Sequence, residues 1–229
     1  MNQTIKNYQA TLLRIREAEI QSHCQPNSVL CLAVSKTFAV EALLPIIALG
    51  QQHFAENYLQ EAINKISALS EKNLVWHYIG RIQTNKCKEI AQNFSWVHTL
   101  YRVKEAKALA KYRPADLSPL QVCLQVKLDD LQDRGGANPK DILTLAEEVS
   151  LHDNLKLRGI MVLPPPKIST QEQKRIFKTA RQLGETLIQQ GHSIDTYSMG
   201  MTQDLESAIA EGATMVRIGS GIFGKREKT

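Results

Sequence analysis

Val29–Thr37 reads VLCLAVSKT, six apolar residues in a row followed by Ser35, Lys36 and Thr37. A run without polar alternation suits a strand covered on both faces, as in a parallel sheet. Its abrupt polar end marks where the strand leaves the core. The same grammar recurs along the chain. Further strands are expected at His53–Ala55, Val75–Ile79, Trp96–Thr99, Gln121–Lys127, Leu157–Val162, Thr196–Ser198 and Met215–Ile218. His53–Ala55 is the least marked, since three residues before a helical stretch also suit a turn.

Helical spacing lies between and before these runs. Ile5, Tyr8, Leu12 and Ile15 recur every three or four residues and predict an N-terminal helix. Ile142, Leu145, Ala146 and Val149 mark another helix, and so do Ile176, Phe177, Ala180, Leu183 and Leu187. Leu205 and Ile209 mark a short one. Eight strands alternating with helices admit a closed (β/α)8 barrel or a doubly wound open sheet. The 229 residues lie close to the ~250 typical of the barrel. No Pro-, Gly- or Ser-rich linker divides the chain, and Pro164–Pro166 directly follow a strand and read as a stiff loop. One α/β TIM barrel domain over residues 1–229, with an extra N-terminal helix, is the expectation.

Composition narrows the function classes. Hydrophobic residues make up 43% of the chain, too many for disorder and enough for a sizeable core. The net charge of +5 comes from 28 basic and 23 acidic residues spread along the sequence. No basic stripe interleaved with aromatics is present, which disfavours nucleic acid as a partner. Cys24, Cys31, Cys87 and Cys123 form no C-x-x-C pair, so no zinc or dithiol redox site is suggested. The longest apolar run, Ala42–Leu49, contains Pro45 and is too short to span a bilayer. The polar N-terminus lacks the apolar stretch of a signal peptide. A soluble cytoplasmic protein without metal is expected.

In barrels of this kind chemistry gathers at the carboxyl ends of the strands. Here those ends lead into Ser35-Lys36-Thr37, Glu56-Asn57-Tyr58, Gly80-Arg81, Met199-Gly200-Met201-Thr202 and Gly219-Ser220-Gly221. Ser198, Gly200 and Thr202 on one loop, with Gly219, Ser220 and Gly221 on the other, supply the hydroxyls and exposed N–H groups that an anion needs. Either loop alone reads as an ordinary turn; both together, after the last two strands, read as a phosphate site. Lys36, held at the mouth by a buried strand, can lose solvation and attack a carbonyl. A lysine nucleophile beside a phosphate site suits a sugar phosphate, as in Schiff-base aldolases, or pyridoxal 5′-phosphate (PLP). Arg217, inside the apolar run Met-Val-Arg-Ile-Gly, requires a partner. That partner is a structural ion pair or, beside PLP, the pyridine nitrogen.

Several stretches resemble the PLP homeostasis proteins, single-domain relatives of the alanine racemase barrel. They are AVSKT at 33–37, FAENYLQEA at 54–62, WHYIGRIQTNK at 76–86, LRGIMVLPP at 157–165, SMGMTQDLESAI at 198–209 and VRIGSGIFG at 216–224. The resemblance implies the fold-type III class of PLP proteins, with Lys36 as the Schiff-base lysine. Ser198, Thr202, Gly219 and Ser220 would hold the phosphate, and Arg217 would face the pyridine nitrogen. Asn57 would line the pocket, as would His77 and Met199 less directly; a satisfied core histidine is the other reading of His77. PLP-dependent apoenzymes or enzymes of the vitamin B6 pathway would be the protein partners. Three positions depart from the family pattern. Ala55 replaces the glycine usual before Glu-Asn. Phe38 stands where many relatives have a second lysine. Arg134, in Asp133-Arg134-Gly135-Gly136, stands near another frequent lysine, and an arginine forms no such imine because it stays protonated.

Two functions of different class follow: a carrier that governs PLP supply without a dedicated reaction, and an amino-acid racemase. Racemization needs a base on each face of the substrate carbon. In the resembling racemases the second is a tyrosine placed with the help of an added β domain and a dimer partner. The sequence reaches Thr229 five residues after Gly224, so no such domain is expected and the carrier is favoured. A Schiff-base aldolase fits the lysine but not the long motifs.

Overall fold

Eight parallel strands close into a barrel in chain order. They are β1 (Leu30–Val34), β2 (His53–Glu56), β3 (Val75–Tyr78), β4 (Trp96–Leu100), β5 (Leu120–Val126), β6 (Leu155–Val162), β7 (Thr196–Ser198) and β8 (Met215–Ile218), with β8 pairing back onto β1. The computed structural model describes residues 2–129, 131 and 134–224. Asp133 and the chain end at Thr229 lie outside the described residues. Closure settles the choice left open between a barrel and an open sheet. The short run at His53 is a true strand, because both flanks are paired: Phe54 with Ala33 on β1 and with Trp76 on β3. β6 starts two residues earlier than its apolar pattern suggests, because Leu120–Val122 of β5 pairs with Leu155–Leu157.

Helices cover the barrel. They are α1 (Gln3–Gln21), α2 (Val40–Ile47), α3 (Leu59–Ala68), α4 (Cys87–Asn93), α5 (Val103–Tyr112), α6 (Ile142–Ser150), α7 (Thr170–Gln189), α8 (Leu205–Ala210) and α9 (Ser220–Phe223). Four of them, α2 to α5, are not among the helices expected from spacing, although Leu59, Ala62, Ile63 and Ile66 on α3 and Ala106, Leu109 and Ala110 on α5 do recur every three or four residues. Pro45 lies inside α2, where it forgoes one ladder bond, and α4 is only seven residues long. Among the described residues no helix is long and apolar enough to cross a membrane. Cys31, Cys87 and Cys123 are buried and Cys24 is partly so.

Strand alternation separates two packing layers. Outward residues such as Cys31, Ala33, Phe54, Trp76 and Val97 join one continuous core with the helices. Inward residues fill the barrel as two apolar clusters, Leu32, Val34, Ala55 and Met215 on one side and Trp96, Cys123 and Met161 on the other. Polar groups run between these clusters, as described below. The β6–β7 contact depends on Gly159, where an added Cβ would fall 1.6 Å from the carbonyl oxygen of Thr196. Two backbones therefore meet where no side chain fits. Gly159→Ala is expected to cost at least about 3 kcal/mol, the upper range for overpacking. Urea unfolding of the variant measures this, and an unchanged midpoint would contradict the close approach.

Candidate functional site

The strands' carboxyl ends open around a cavity of about 740 Å³ lined by residues of β1, β6, β8 and the intervening loops. This lies within the roughly 300–1,000 Å³ of small-molecule sites. Six expected site residues border it: Lys36, Asn57, Thr202, Arg217, Gly219 and Ser220.

Lys36 is partly buried, and its two neighbours are clamped from outside the barrel. Lys65 on α3 is buried, and its Nζ donates to the Ser35 carbonyl (2.7 Å), to Glu56 Oε1 (2.7 Å) and to Glu61 Oε1 (2.6 Å). Ser35 Oγ donates to the same Glu56 oxygen at 2.6 Å. On the far side of Lys36, the Thr37 N–H donates to Glu61 Oε1 at 2.6 Å. Thr37 has a φ of 70°, a left-handed conformation that a β-branched residue adopts only when held there. Burial raises the Glu56 carboxyl above its ordinary range, while Lys65 and Ser35 pull it back. The Lys65–Glu56 pair thus lies buried at the root of the Lys36 loop.

The two loops after β7 and β8 are tied together and braced from behind. Thr202 Oγ1 accepts from the Gly221 N–H (3.1 Å) and from Ser220 Oγ (3.4 Å). Asp204 Oδ1 accepts from the Met201 N–H at 2.6 Å. Gly200 has a φ of +91°, and a Cβ there would lie 2.6 Å from the Ala208 methyl, so this turn requires glycine. Three side chains of α1 reach the same loops. Arg14 Nη2 donates to the Thr202 carbonyl (3.1 Å), Thr11 Oγ1 to that of Gly221 (3.2 Å) and Asn7 Nδ2 to that of Ile222 (3.2 Å). The N-terminal helix thereby supports the part of the mouth with the most hydroxyl groups.

Arg217 is 4% exposed. Its Nη1 donates to Ser198 O (2.5 Å) and Ser198 Oγ (2.9 Å), and its Nη2 to the Val162 carbonyl (3.0 Å). Burial lowers its pKa to about 10, with Asp204 opposing the shift, so it remains a cation at neutral pH. Behind it, Ser198 Oγ lies 2.8 Å from His98 Nδ1, His98 Nε2 2.9 Å from His77 Nδ1, and His77 Nε2 3.0 Å from His53 Nδ1. Burial, with the Arg217 charge, pushes His98 down to about 3. Burial and the two neighbouring histidines hold His77 well below its ordinary value.

Three expected site residues are therefore placed in the wall and do not border the cavity. Ser198 is fully buried, and its hydroxyl is engaged with Arg217 and His98, so it does not face the two phosphate-type loops. His77 is fully buried within the histidine chain. Met199 follows Ser198 just past the end of β7, points the opposite way, and packs in the core beneath the helices. Sequence reasoning passed over Glu61, Lys65, His98 and Asp204. Three of these carried a usable signal. Glu61 and Lys65 are four apart on one helix face, and His98 shares the inward parity of Trp96.

The departures from the family pattern also have places. Phe38 stacks on Phe223, ring centroids 5.0 Å apart. Arg134 Nη1 donates to the carbonyls of Leu163 and Pro164, each at 2.7 Å, and lies 3.6 Å from Asp129. Ala55 fills the barrel interior beside Leu32 and Val34. Asn57 Oδ1 is buried with no hydrogen-bond partner among the described residues.

Residues 13–227 match the family model described as alanine racemase, N-terminal domain. The pyridoxal phosphate homeostasis protein of Pseudomonas aeruginosa is 44% identical over 227 residues, which is 99% of this chain and 97% of that protein. The pyridoxal phosphate homeostasis protein of Escherichia coli K12 is 39% identical over 233 residues, 99% of this chain and 98% of that protein. The structure of PipY from Synechococcus elongatus with PLP bound is 34% identical, with a TM-score of 0.81, over 92% of this chain and 100% of PipY. An alanine racemase of Clostridium difficile shares the fold at 15% identity and a TM-score of 0.76, over 97% of this chain and 58% of that one.

Two outcomes follow from the buried polar groups. Lys65→Met leaves Glu56 buried without its cation and is expected to destabilise the chain by about 3–5 kcal/mol. Chemical denaturation reads this, and a loss below about 1 kcal/mol would contradict the clamp. The histidines add a pH dependence. His77 and His98 are neutral when folded, with pKa values lowered from the ordinary 6.5. Below that value the unfolded chain binds more protons than the folded one, so stability falls as pH drops from 6.5 towards the folded values. The slope is about 1.4 kcal/mol per pH unit for each such group. Urea midpoints should be lower at about pH 5 than at about pH 7, and His98→Gln should flatten the difference.

Proposed function

Because the chain belongs to the pyridoxal phosphate homeostasis protein family, we propose that it holds PLP as a Schiff base on Lys36 and serves as a reservoir for the cofactor without a dedicated reaction. The observation that carries this reading is the convergence on one cavity of a lysine, a buried guanidinium and a hydroxyl-lined pair of loops. Each group matches one part of PLP. Thr202, Ser220 and the backbone at Gly219 suit the phosphate; the Arg217 guanidinium suits the pyridine nitrogen; Lys36 suits the aldehyde. The buried, unpartnered Asn57 Oδ1 offers an acceptor to a protonated group near that aldehyde. When bound, PLP supplies an aldehyde that condenses with an amine and a ring able to draw electrons from it.

Arg217 supports the carrier over the racemase. A guanidinium is a donor only, so a ring nitrogen facing it must accept and stays unprotonated. That weakens the electron sink on which reactions at an amino-acid carbon depend. Recipients would be apoenzymes that use PLP or enzymes of the vitamin B6 pathway, since these share the ligand.

The protein with PLP should absorb at the violet edge of the visible range, and borohydride should fix a pyridoxyl group on Lys36. Lys36→Ala should be colourless, and undiminished absorbance in that variant would sink the assignment. Thr202→Ala combined with Ser220→Ala should weaken PLP retention at least tenfold, about 1.4 kcal/mol. Exchange of the α-proton of an amino acid at enzyme-like rates would overturn the carrier reading.

A further inference from the structure

We infer that Ser198, His98 and His77 are positioning residues that act through Arg217: they form a hydrogen-bond chain of one direction that pins the guanidinium where it meets the bound ring. This rests on the reading of Arg217 as the partner of the pyridine nitrogen.

The direction follows from counting donors. Arg217 has only N–H groups to give, and its Nη1 donates to Ser198 Oγ at 2.9 Å. Ser198 is fully buried, so its own hydroxyl hydrogen needs an acceptor. The atom placed to accept is His98 Nδ1, at 2.8 Å. A bare Nδ1 puts the His98 proton on Nε2, which then donates to His77 Nδ1 at 2.9 Å. The His77 proton is likewise on Nε2 and donates to His53 Nδ1 at 3.0 Å. The reverse direction would point an N–H of His98 at a serine oxygen already facing a cation. It would also leave the serine hydrogen buried without an acceptor, at about 1–3 kcal/mol. One fixed charge on β8 thus sets the tautomer of two histidines on β3 and β4.

The chain works both ways. Because the hydroxyl of Ser198 is committed to His98, its lone pairs stay turned to Arg217. With the Val162 carbonyl on Nη2, the guanidinium plane has one orientation and is ordered before any ligand arrives. A pre-ordered donor at the ring nitrogen loses no rotational freedom on binding. The rings of His77 and His98 are themselves held against Trp96, with ring centroids 5.2 and 5.9 Å away.

Long-range ¹⁵N–¹H spectra of the histidine side chains in the ligand-free protein test the direction without any variant. His98 and His77 should both carry hydrogen on Nε2 and none on Nδ1; hydrogen on Nδ1 of His98 would overturn the inference. The coupling to the ligand is read with ring-¹⁵N-labelled PLP bound to the wild type and to Ser198→Ala. The ring-nitrogen resonance should shift in the variant while the Schiff-base absorbance is retained, and an unshifted resonance would overturn the positioning role. Should labelled PLP give no bound signal even in the wild type, the carrier reading would fail. The histidine tautomers would still decide the chain.

Discussion

A guanidinium buried in the middle of an apolar strand is the constraint around which the barrel interior is arranged. Arg217 is 4% exposed, and among the described residues no carboxylate pairs with it at contact distance. Carbonyl and hydroxyl oxygens from β6 and β7 receive it instead, with Asp204 contributing through space. That choice has a chemical consequence. A direct ion pair would cancel the charge, whereas oxygen dipoles leave it available to whatever lies in the cavity. It also explains the polar seam of the interior. Ser198, having accepted from Arg217, needs an acceptor of its own, and the histidines of β4 and β3 supply one in succession.

The mouth is held from outside as firmly as from within. Lys65 and Glu61 grip the residues on either side of Lys36, and α1 grips the backbone of the loops after β7 and β8. Each brace ends on backbone atoms next to the residues expected to meet the ligand. Lys36, Thr202 and Ser220 therefore line the cavity from a braced backbone. This division suits a binding site, where precision is set by supporting contacts that never touch the ligand.

The barrel was legible in the sequence because a buried parallel strand writes itself as an apolar run with a polar end. That Lys36, Asn57, Gly219 and Ser220 border the cavity was legible for the same reason, since they follow such ends within two residues. Ser198 and Met199 were harder to place. A polar residue at a strand end says nothing about which face it occupies, and β7 is only three residues long. Parity came from pairing: Met161 with Ser198, and Ser198 with Met215. The grip of Lys65 on Ser35 was not legible, because it joins α3 to the loop after β1 across 30 residues. The N-terminal helix showed its apolar period, but not that its polar face would reach the last loops of the chain.

Phe38 and Arg134 show how the rim accommodates residues that differ from the family pattern. A lysine two residues beyond Lys36 would present a second amine at the mouth. Here the Phe38 ring is stacked on Phe223, which joins the loop after β1 to α9 by an apolar contact. Arg134 spends Nη1 on two carbonyls at the start of the proline run, Leu163 and Pro164, and so fixes the opposite rim. Both side chains make a fixed contact at the rim. Phe38 has no amine, and arginine forms no imine at neutral pH. Neither of these two positions could then relay an aldehyde as an imine; among the other residues lining the cavity, Lys167 carries an amine.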